Sequence, residues 1–169
     1  EGWAWSRHTH ACMKGELPGQ TRFPPLATVP LQDGKLAAQL LGEAMEAGFG
    51  GLMIGTLPNG QGGNLDDPGL DPFWQAASDL KAGVFLHPMF LCGEPRLADY
   101  DLVNAIGRGA DTSIAVARRL RSGHTRQCPG GTPGISPGGA ARHQVRGRLA
   151  RHLRNPAGRA ADTARRRRC

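Results

Sequence analysis

Residues 48–88 read GFGGLMIGTLPNGQGGNLDDPGLDPFWQAASDLKAGVFLHP, and this stretch decides the fold. It contains two short apolar runs, at 52–54 and 84–86, and a segment with helical spacing precedes each of them. A loop rich in Gly, Asn, Asp and Pro and a helix separate the runs, which gives the order of a βαβ unit. Such units form parallel sheets, so the stretch predicts an α/β protein.

The second apolar run ends on His87, which is followed by Pro88. In parallel α/β folds, and above all in β/α barrels, the residue at the carboxyl end of a strand faces the pocket. A neutral imidazole in that place is suited to binding a metal ion. His87 is therefore the first candidate site residue. The alternative, which an isolated histidine favours, is a structural or loop-capping role.

Upstream, residues 26–29 form a short apolar run between prolines and are expected to be a buried strand. Residues 35–47 have helical spacing, with Asp33 available as a cap and Gly48 able to end the helix. Residues 1–22 show neither period, and we expect them to lack regular structure.

Within and after the central stretch, the patterns predict two strands and three helices. The strands are 51–55 and 84–86, and the helix between them begins at Asp71 with a proline in its first turn. Helices are expected over 97–106 and from Asp111 to Leu120. The chain thus contains about three βα units.

The charges divide the chain into two unlike parts. Residues 1–111 hold 13 acidic and 7 basic residues, a net charge of −6, whereas residues 112–169 hold 14 arginines and one acidic residue, a net charge of +13. Residues 121–169 are mostly Gly, Pro, Ala and Arg, with few large apolar side chains, and are expected to be disordered. An alternative function is a non-enzymatic protein whose basic tail binds nucleic acid or anionic surfaces non-specifically. The tail lacks aromatic residues, so no specific nucleic-acid binding is expected.

The four cysteines, at 12, 92, 128 and 169, form no close pairs, which favours reduced thiols in a cytoplasmic protein. The sequence has no signal-peptide pattern and no apolar run that could cross a membrane, so no membrane partner is expected. There is no initiator methionine, which indicates that the chain begins inside a longer one.

Four segments, in order, carry a resemblance to a known family: RFPPLATVPLQD, AMEAGFGGLMIGT, NLDDPGLDPFWQAASDL with VFLHP, and DTSIAVARRL. From about residue 18 to residue 120 the chain resembles the amidohydrolase-related, metal-dependent (β/α)8 barrel enzymes. These include aminocarboxymuconate-semialdehyde decarboxylase and related aromatic-acid decarboxylases. The resemblance implies a partial TIM-type barrel over 18–120, between a poorly ordered segment 1–17 and a disordered basic tail 121–169.

The resemblance also implies an activity and a site. In such barrels the histidine of the strand-end HP motif is a ligand of a divalent metal, usually zinc, and that residue here is His87. Thr56, Pro58 and Met89 would line the pocket for the substrate. The reaction would be decarboxylation or hydrolysis of a small carboxylated molecule. The resemblance leaves open which of the two reactions the chain would serve.

The chain departs from the family where the other ligands are expected. His8 and His10 have the spacing of two ligands on one strand, but WAWSR before them is not an apolar strand, so we interpret the pair as coincidence. His124, His143 and Asp162 do not follow strand-like segments and are not convincing replacements. No catalytic residue is assigned, and the chain alone is expected to be inactive.

Two further expectations concern the ends of the matching region. Loss of the family pattern after Leu120 favours the hypothesis that 121–169 is translated from another frame of a GC-rich gene, and 1–16 in the same way. Three βα units would also leave two unpaired strand edges, so we expect marginal stability and self-association through those edges.

The loop GQGGNLDDPG, residues 60–69, lacks both the Lys-Ser/Thr of a P-loop and the ligand spacing of an EF-hand. We interpret it as a loop at the pocket mouth, with Asn64 and Asp66 as its cap and turn residues. Cys92 has no histidine nearby in sequence, so a buried thiol is expected there rather than a nucleophile.

Overall fold

The computed structural model describes residues 1–19, 22–59, 62–88, 95–122 and 133–135. These residues form a four-stranded parallel sheet whose strands follow one another in chain order, with helices between them. The predicted α/β class is confirmed. The elements are α1 (Gly2–Glu16), β1 (Leu26–Thr28), α2 (Gly34–Glu46), β2 (Gly51–Gly55), α3 (Asp71–Asp79), β3 (Gly83–His87), α4 (Arg108–Arg121) and β4 (Pro133–Ile135).

The centre of the sheet is the pair β2 and β3, which align in parallel from Gly51 opposite Gly83 to Gly55 opposite His87. At the start of this pair the two backbones come very close. A Cβ atom added to Gly51 would lie 2.3 Å from the carbonyl oxygen of Gly83, and Gly51 has a φ of 150°. Only glycine fits this position, so Gly51 fixes how the two strands begin.

One face of the sheet packs against helices and forms the core. Leu52, Ile54, Val84 and Leu86 point to this face, and each is no more than 4% exposed. Because successive strand residues point to opposite faces, these four account for every second position of β2 and β3. The same cluster includes buried residues of α2 and α3, namely Ala37, Leu40, Leu41, Ala44, Phe73, Trp74 and Ala77.

Helix α2 begins and ends one residue earlier than the predicted range 35–47, and Asp33 caps it as predicted. The Asp33 carboxylate accepts hydrogen bonds from the backbone N–H groups of Lys35 at 2.9 Å and Leu36 at 3.1 Å. This bonding satisfies donors that the first turn leaves free. Gly48, with a φ of 86°, follows the helix end as predicted.

The amino-terminal segment differs from the expectation. Residues 2–16, expected to lack regular structure, form helix α1. Tertiary contacts stabilise this helix: the His10 ring nitrogen Nε2 lies 3.1 Å from the backbone nitrogen of Thr28, and its ring packs on Phe49 at 5.0 Å between centroids. These contacts come from residues far apart in sequence, which is why local periodicity does not reveal the helix.

The region after β3 also differs from the prediction. Instead of a regular helix over 97–106, a short 3-10 turn at Pro95–Leu97 precedes a π-helical turn at Val103–Gly107, which continues directly into α4. Tyr100 and Asp101 lie between the two turns and have φ values of 57° and 54°, so the helical conformation is interrupted there. Left-handed residues of this kind do not occur inside an α-helix.

Strand β4 corrects the expectation that no strand follows Leu120, because Pro133–Ile135 pairs in parallel with β3. The free backbone groups on the outer side of β3 explain why a short segment without strand-like sequence pairs there. The remaining residues beyond 122, predicted to be disordered, lie outside the described part of the chain, and the domain boundaries stay predictions. Strand β3 pairs with a strand on each side. The edge of β1 is covered in part, because His10 contacts the backbone of Thr28.

Candidate functional site

The face of the sheet opposite the helices is open. Alternation along the strands places Met53, Phe85 and His87 together on this face, and Met53 is directly opposite Phe85 in the register. Met53 is 37% exposed, and Phe85 and His87 are half-buried. In a closed barrel this face would point to the interior. Met53 and Phe85 are not among the predicted site residues, although their alternation with the buried positions of β2 and β3 is visible in the sequence.

His87 is the last residue of β3, as predicted. Its Nδ1 atom is buried and has no hydrogen-bond partner among the described residues. A buried polar atom left without a partner costs about 1–3 kcal/mol, so such an atom indicates a place for a further group. His87 therefore combines a rigid position at a strand end with an unused nitrogen.

Thr56 follows β2 directly and is only 1% exposed. Its hydroxyl donates a hydrogen bond to the Asp111 Oδ2 atom in the first turn of α4. Burial raises the pKa of Asp111, and the hydrogen bond from Thr56 opposes that rise. Thr56, predicted to line the pocket, thus lies in a buried polar pair with Asp111.

A second contact joins α4 to the end of β3. The Arg108 guanidinium lies 3.4 Å from the backbone oxygen of Pro88, the residue after His87. Its Nε donates to the Asn104 side-chain oxygen at 2.7 Å, which holds the guanidinium in place. Arg108 and Asp111 carry no local sequence signal for these roles, since their partners lie 20 and 55 residues away.

Pro58 borders a surface cleft of about 640 Å³ between the loop that follows β1 and the loop that follows β2. Leu31, Asn59 and Leu70 also line this cleft. Both loops leave the carboxyl ends of their strands, which is the end where β/α barrels bind substrates. The position of Pro58 agrees with the interpretation of its loop as a pocket mouth.

Within the pocket-mouth loop, the roles of the acidic residues differ in part from the prediction. Asp67, rather than Asp66, caps the following turn by accepting a hydrogen bond from the Gly69 backbone nitrogen at 2.8 Å. Asp66 instead pairs with Arg118 on α4, with distances of 2.8 and 3.1 Å. Asn64 contributes to the predicted turn through its backbone oxygen, which accepts from Asp67.

The other candidate ligands do not join His87. His8 and His10 lie on helix α1 rather than on a strand, where residues two apart point to nearly opposite sides. His10 is used against the backbone of Thr28, in agreement with the interpretation of the pair as coincidence. Over the described ranges, no three His, Cys, Asp or Glu side chains come close enough to hold a metal ion. The predicted positions outside those ranges are Met89, Cys92, His124, His143 and Asp162.

Among the described residues, no helix combines the length and the apolar character that crossing a membrane requires.

Similarity to known proteins extends beyond the four segments that carry the family resemblance. A family model described as Amidohydrolase matches residues 7–155. The match continues past Leu120, which is not expected of an out-of-frame segment. A curated relative, 2-amino-3-carboxymuconate-6-semialdehyde decarboxylase of Dictyostelium discoideum, is 34% identical over 109 residues. That alignment covers 64% of this chain and 30% of the relative, so the chain spans about a third of the relative's length.

Two solved structures with the same fold are decarboxylases. The 5-carboxyvanillate decarboxylase of Sphingomonas paucimobilis is 25% identical, with a TM-score of 0.70 over 79% of this chain and 41% of that one. The dihydroxybenzoic acid decarboxylase of Polaromonas, solved with bound manganese and the inhibitor 2-nitroresorcinol, is 24% identical, with a TM-score of 0.64 over 77% of this chain and 42% of that one. Because the family model matches well over half of the sequence, this chain belongs to the amidohydrolase family.

Proposed function

We propose that this chain is part of a divalent-metal-dependent decarboxylase or hydrolase of the amidohydrolase family, and that His87 is one of the metal ligands. The observation that carries the proposal is the position of His87 at the carboxyl end of β3, with a buried Nδ1 that has no partner within the described residues. The curated relative and the two solved structures described above are decarboxylases, which favours loss of CO2 from a small carboxylated substrate.

The described residues do not make a complete metal site. Catalytic sites of this kind use three or more protein ligands and keep one position open, whereas no group of three candidate ligands forms in the described part of the chain. We therefore propose that the chain alone does not turn over substrate. When bound in a complete site, a divalent metal would polarise a carboxylate or activate water. Zinc is the metal predicted from the resemblance, and one solved neighbour holds manganese.

The open face suits an aromatic substrate. Met53 and Phe85 offer apolar surface beside His87, and an aromatic ring stacks favourably on such side chains. Pro58 lies at the neighbouring loop and would limit one side of the pocket. We propose that Thr56 holds the end of β2 next to this pocket and does not touch the substrate. A contact between Met89 and the substrate stays a prediction.

Binding of Mn²⁺ to the chain tests the assignment of His87. Paramagnetic Mn²⁺ broadens the NMR signals of nearby protons, so the ring protons of each histidine report where the ion binds. We expect the His87 ring signals to broaden first, and His87→Gln to abolish the accompanying broadening of the ring signals of Phe85, which lies on the same strand face. His8→Gln is the matched control, because His8 is exposed on α1. Broadening of the His8 or His10 signals before those of His87 would contradict the assignment.

An activity assay tests the remainder of the proposal. With 5-carboxyvanillate as probe and Mn²⁺ or Zn²⁺ added, we expect no release of CO2 above the rate without protein. Turnover that His87→Gln removes would show that the chain contains a complete site after all, with further ligands outside the described residues.

Three other expectations stay predictions: non-specific anion binding by the basic tail, self-association through strand edges, and a cytoplasmic location. Filter binding of nucleic acid at low and high salt tests the first, because binding by the tail alone should be lost as salt rises. Sedimentation over a range of concentrations tests the second. The contact of His10 with the β1 edge makes the β1 route to self-association unfavourable.

A further inference from the structure

We propose that the first turn of α4 is a clamp that positions the candidate site: Asp111 and Arg108 hold the carboxyl ends of β2 and β3, and so fix the direction in which His87 leaves the sheet. The inference rests on the proposed function, because His87 needs a fixed orientation if it is a metal ligand. Asp111 and Arg108 act through other residues and are positioning residues.

Helix α4 is a firm base for such a clamp. Ala115 and Val116 are 5% and 6% exposed and belong to the core cluster that also holds Leu52 and Leu86. The bond between Arg118 and Asp66 attaches the same helix to the pocket-mouth loop. A helix whose middle is packed in the core holds its first turn in a fixed position, and that turn contacts Thr56 and Pro88 after the two strands.

The contact between Asp111 and Thr56 holds the end of β2. Both residues are buried, at 7% and 1% exposure, so water does not compete for their hydrogen bond. Burying a carboxyl group costs free energy of folding unless the group is hydrogen-bonded, as Asp111 is to Thr56. Thr56 comes directly after Gly55, which is opposite His87 in the sheet register. Fixing Thr56 therefore fixes the strand end beside His87.

The contact between Arg108 and Pro88 holds the end of β3. The backbone oxygen of Pro88 is one residue past His87, and the Arg108 guanidinium reaches it at 3.4 Å. Arg108 is itself held by Asn104, whose side chain donates to Asp101 at 2.6 Å. Two adjacent strand ends are thus tied to residues three apart on one helix turn. Groups that orient a metal ligand in this way typically change metal affinity by about 10–100-fold when removed.

The test uses variants that separate positioning from folding. Asp111→Ala removes the acceptor for Thr56, whereas Asp111→Asn keeps an oxygen that can accept the same hydrogen bond. Thr56→Val and Thr56→Ser form a second matched pair, and Arg108→Met removes only an exposed side chain. The NMR shifts of the His87 ring are recorded without metal, well below the melting temperature, and the Mn²⁺ titration then follows.

We expect the His87 ring shifts to change in Asp111→Ala, Thr56→Val and Arg108→Met, and to return to the wild-type values in Asp111→Asn and Thr56→Ser. Mn²⁺ affinity at His87 should fall about tenfold in the first group. If Asp111→Ala and Thr56→Val do not fold, the His87 ring shifts of Arg108→Met test the clamp. Unchanged His87 ring shifts in folded variants would overturn the clamp even where Mn²⁺ binds. Altered shifts without any Mn²⁺ binding in the wild type would uphold the clamp and reject the metal assignment.

Discussion

The two faces of the sheet differ in what surrounds them. On one face, Leu52 and Leu86 are 0% and 2% exposed and are covered by helices that lie close to them in sequence. On the other face, Met53 is 37% exposed and His87 is half-buried. Helices of this chain complete the packing of the closed face. In a closed barrel, further strands would surround the open face. The closed face therefore contributes most of the packing that stabilises the sheet, whereas the candidate site residue His87 lies on the open face.

Two neighbouring residues of β2 test this division with the largest expected effect. Leu52→Ala removes buried side-chain volume from the closed face and should lower the free energy of unfolding by about 2–5 kcal/mol. Met53→Ala deletes a side chain of similar size from the open face and should cost less than about 1 kcal/mol. Urea unfolding followed by circular dichroism measures both values.

Equal losses at Leu52 and Met53 would mean that the open face is also packed, either by residues outside the described ranges or by another copy of the chain. Repeating the measurement over a range of protein concentrations separates these two explanations. Only packing against another copy makes the stability of Met53→Ala relative to the wild type depend on concentration.

The closed face and the placement of His87 follow from the sequence, because both depend on local alternation and helical spacing. Residues 51–55 and 84–86 are apolar enough to predict buried strands, and the HP pair marks the strand end. Helix α1 and the bond between Thr56 and Asp111 could not be predicted in this way. Their stabilising contacts join residues 18 and 55 positions apart, and no local pattern encodes such pairs. Strand β4 was missed for a related reason, since the edge of β3 favours pairing more than the sequence 133–135 itself does.

Asp111 offers a test of intermediate size at the boundary between the two faces. Burial raises its pKa, so the folded state binds this proton more tightly than the unfolded state does. Its contribution to stability is therefore full at acidic pH and is lost as pH rises through the raised pKa. Asp111→Asn, which is neutral at every pH, should match the wild type near pH 3 and exceed its melting temperature by about 2–4 °C at pH 7.

Thermal melts between pH 3 and pH 7 measure the effect of Asp111→Asn. Asp99→Asn is the control for the loss of one carboxylate at an exposed position. A lower melting temperature of Asp111→Asn at pH 7 would show that the charged carboxylate is stabilised by groups outside the described residues.

The smallest effect is expected at the surface ion pair that attaches α1 to α2. Arg7 forms two hydrogen bonds with the Glu43 carboxylate and stacks on the Trp3 ring at 3.9 Å. This pairing lowers the pKa of Glu43, so its contribution is present above the ordinary carboxyl pKa and is lost as pH falls through the lowered value. Because both side chains are partly exposed, Glu43→Gln should lower the melting temperature at pH 7 by no more than about 2 °C. Glu46→Gln, on the exposed side of the same helix, is the control, and 1 M NaCl should shrink the difference between the two variants. A large loss for Glu43→Gln would instead mean that the attachment of α1 supports the sheet, since His10 on the same helix contacts the edge of β1.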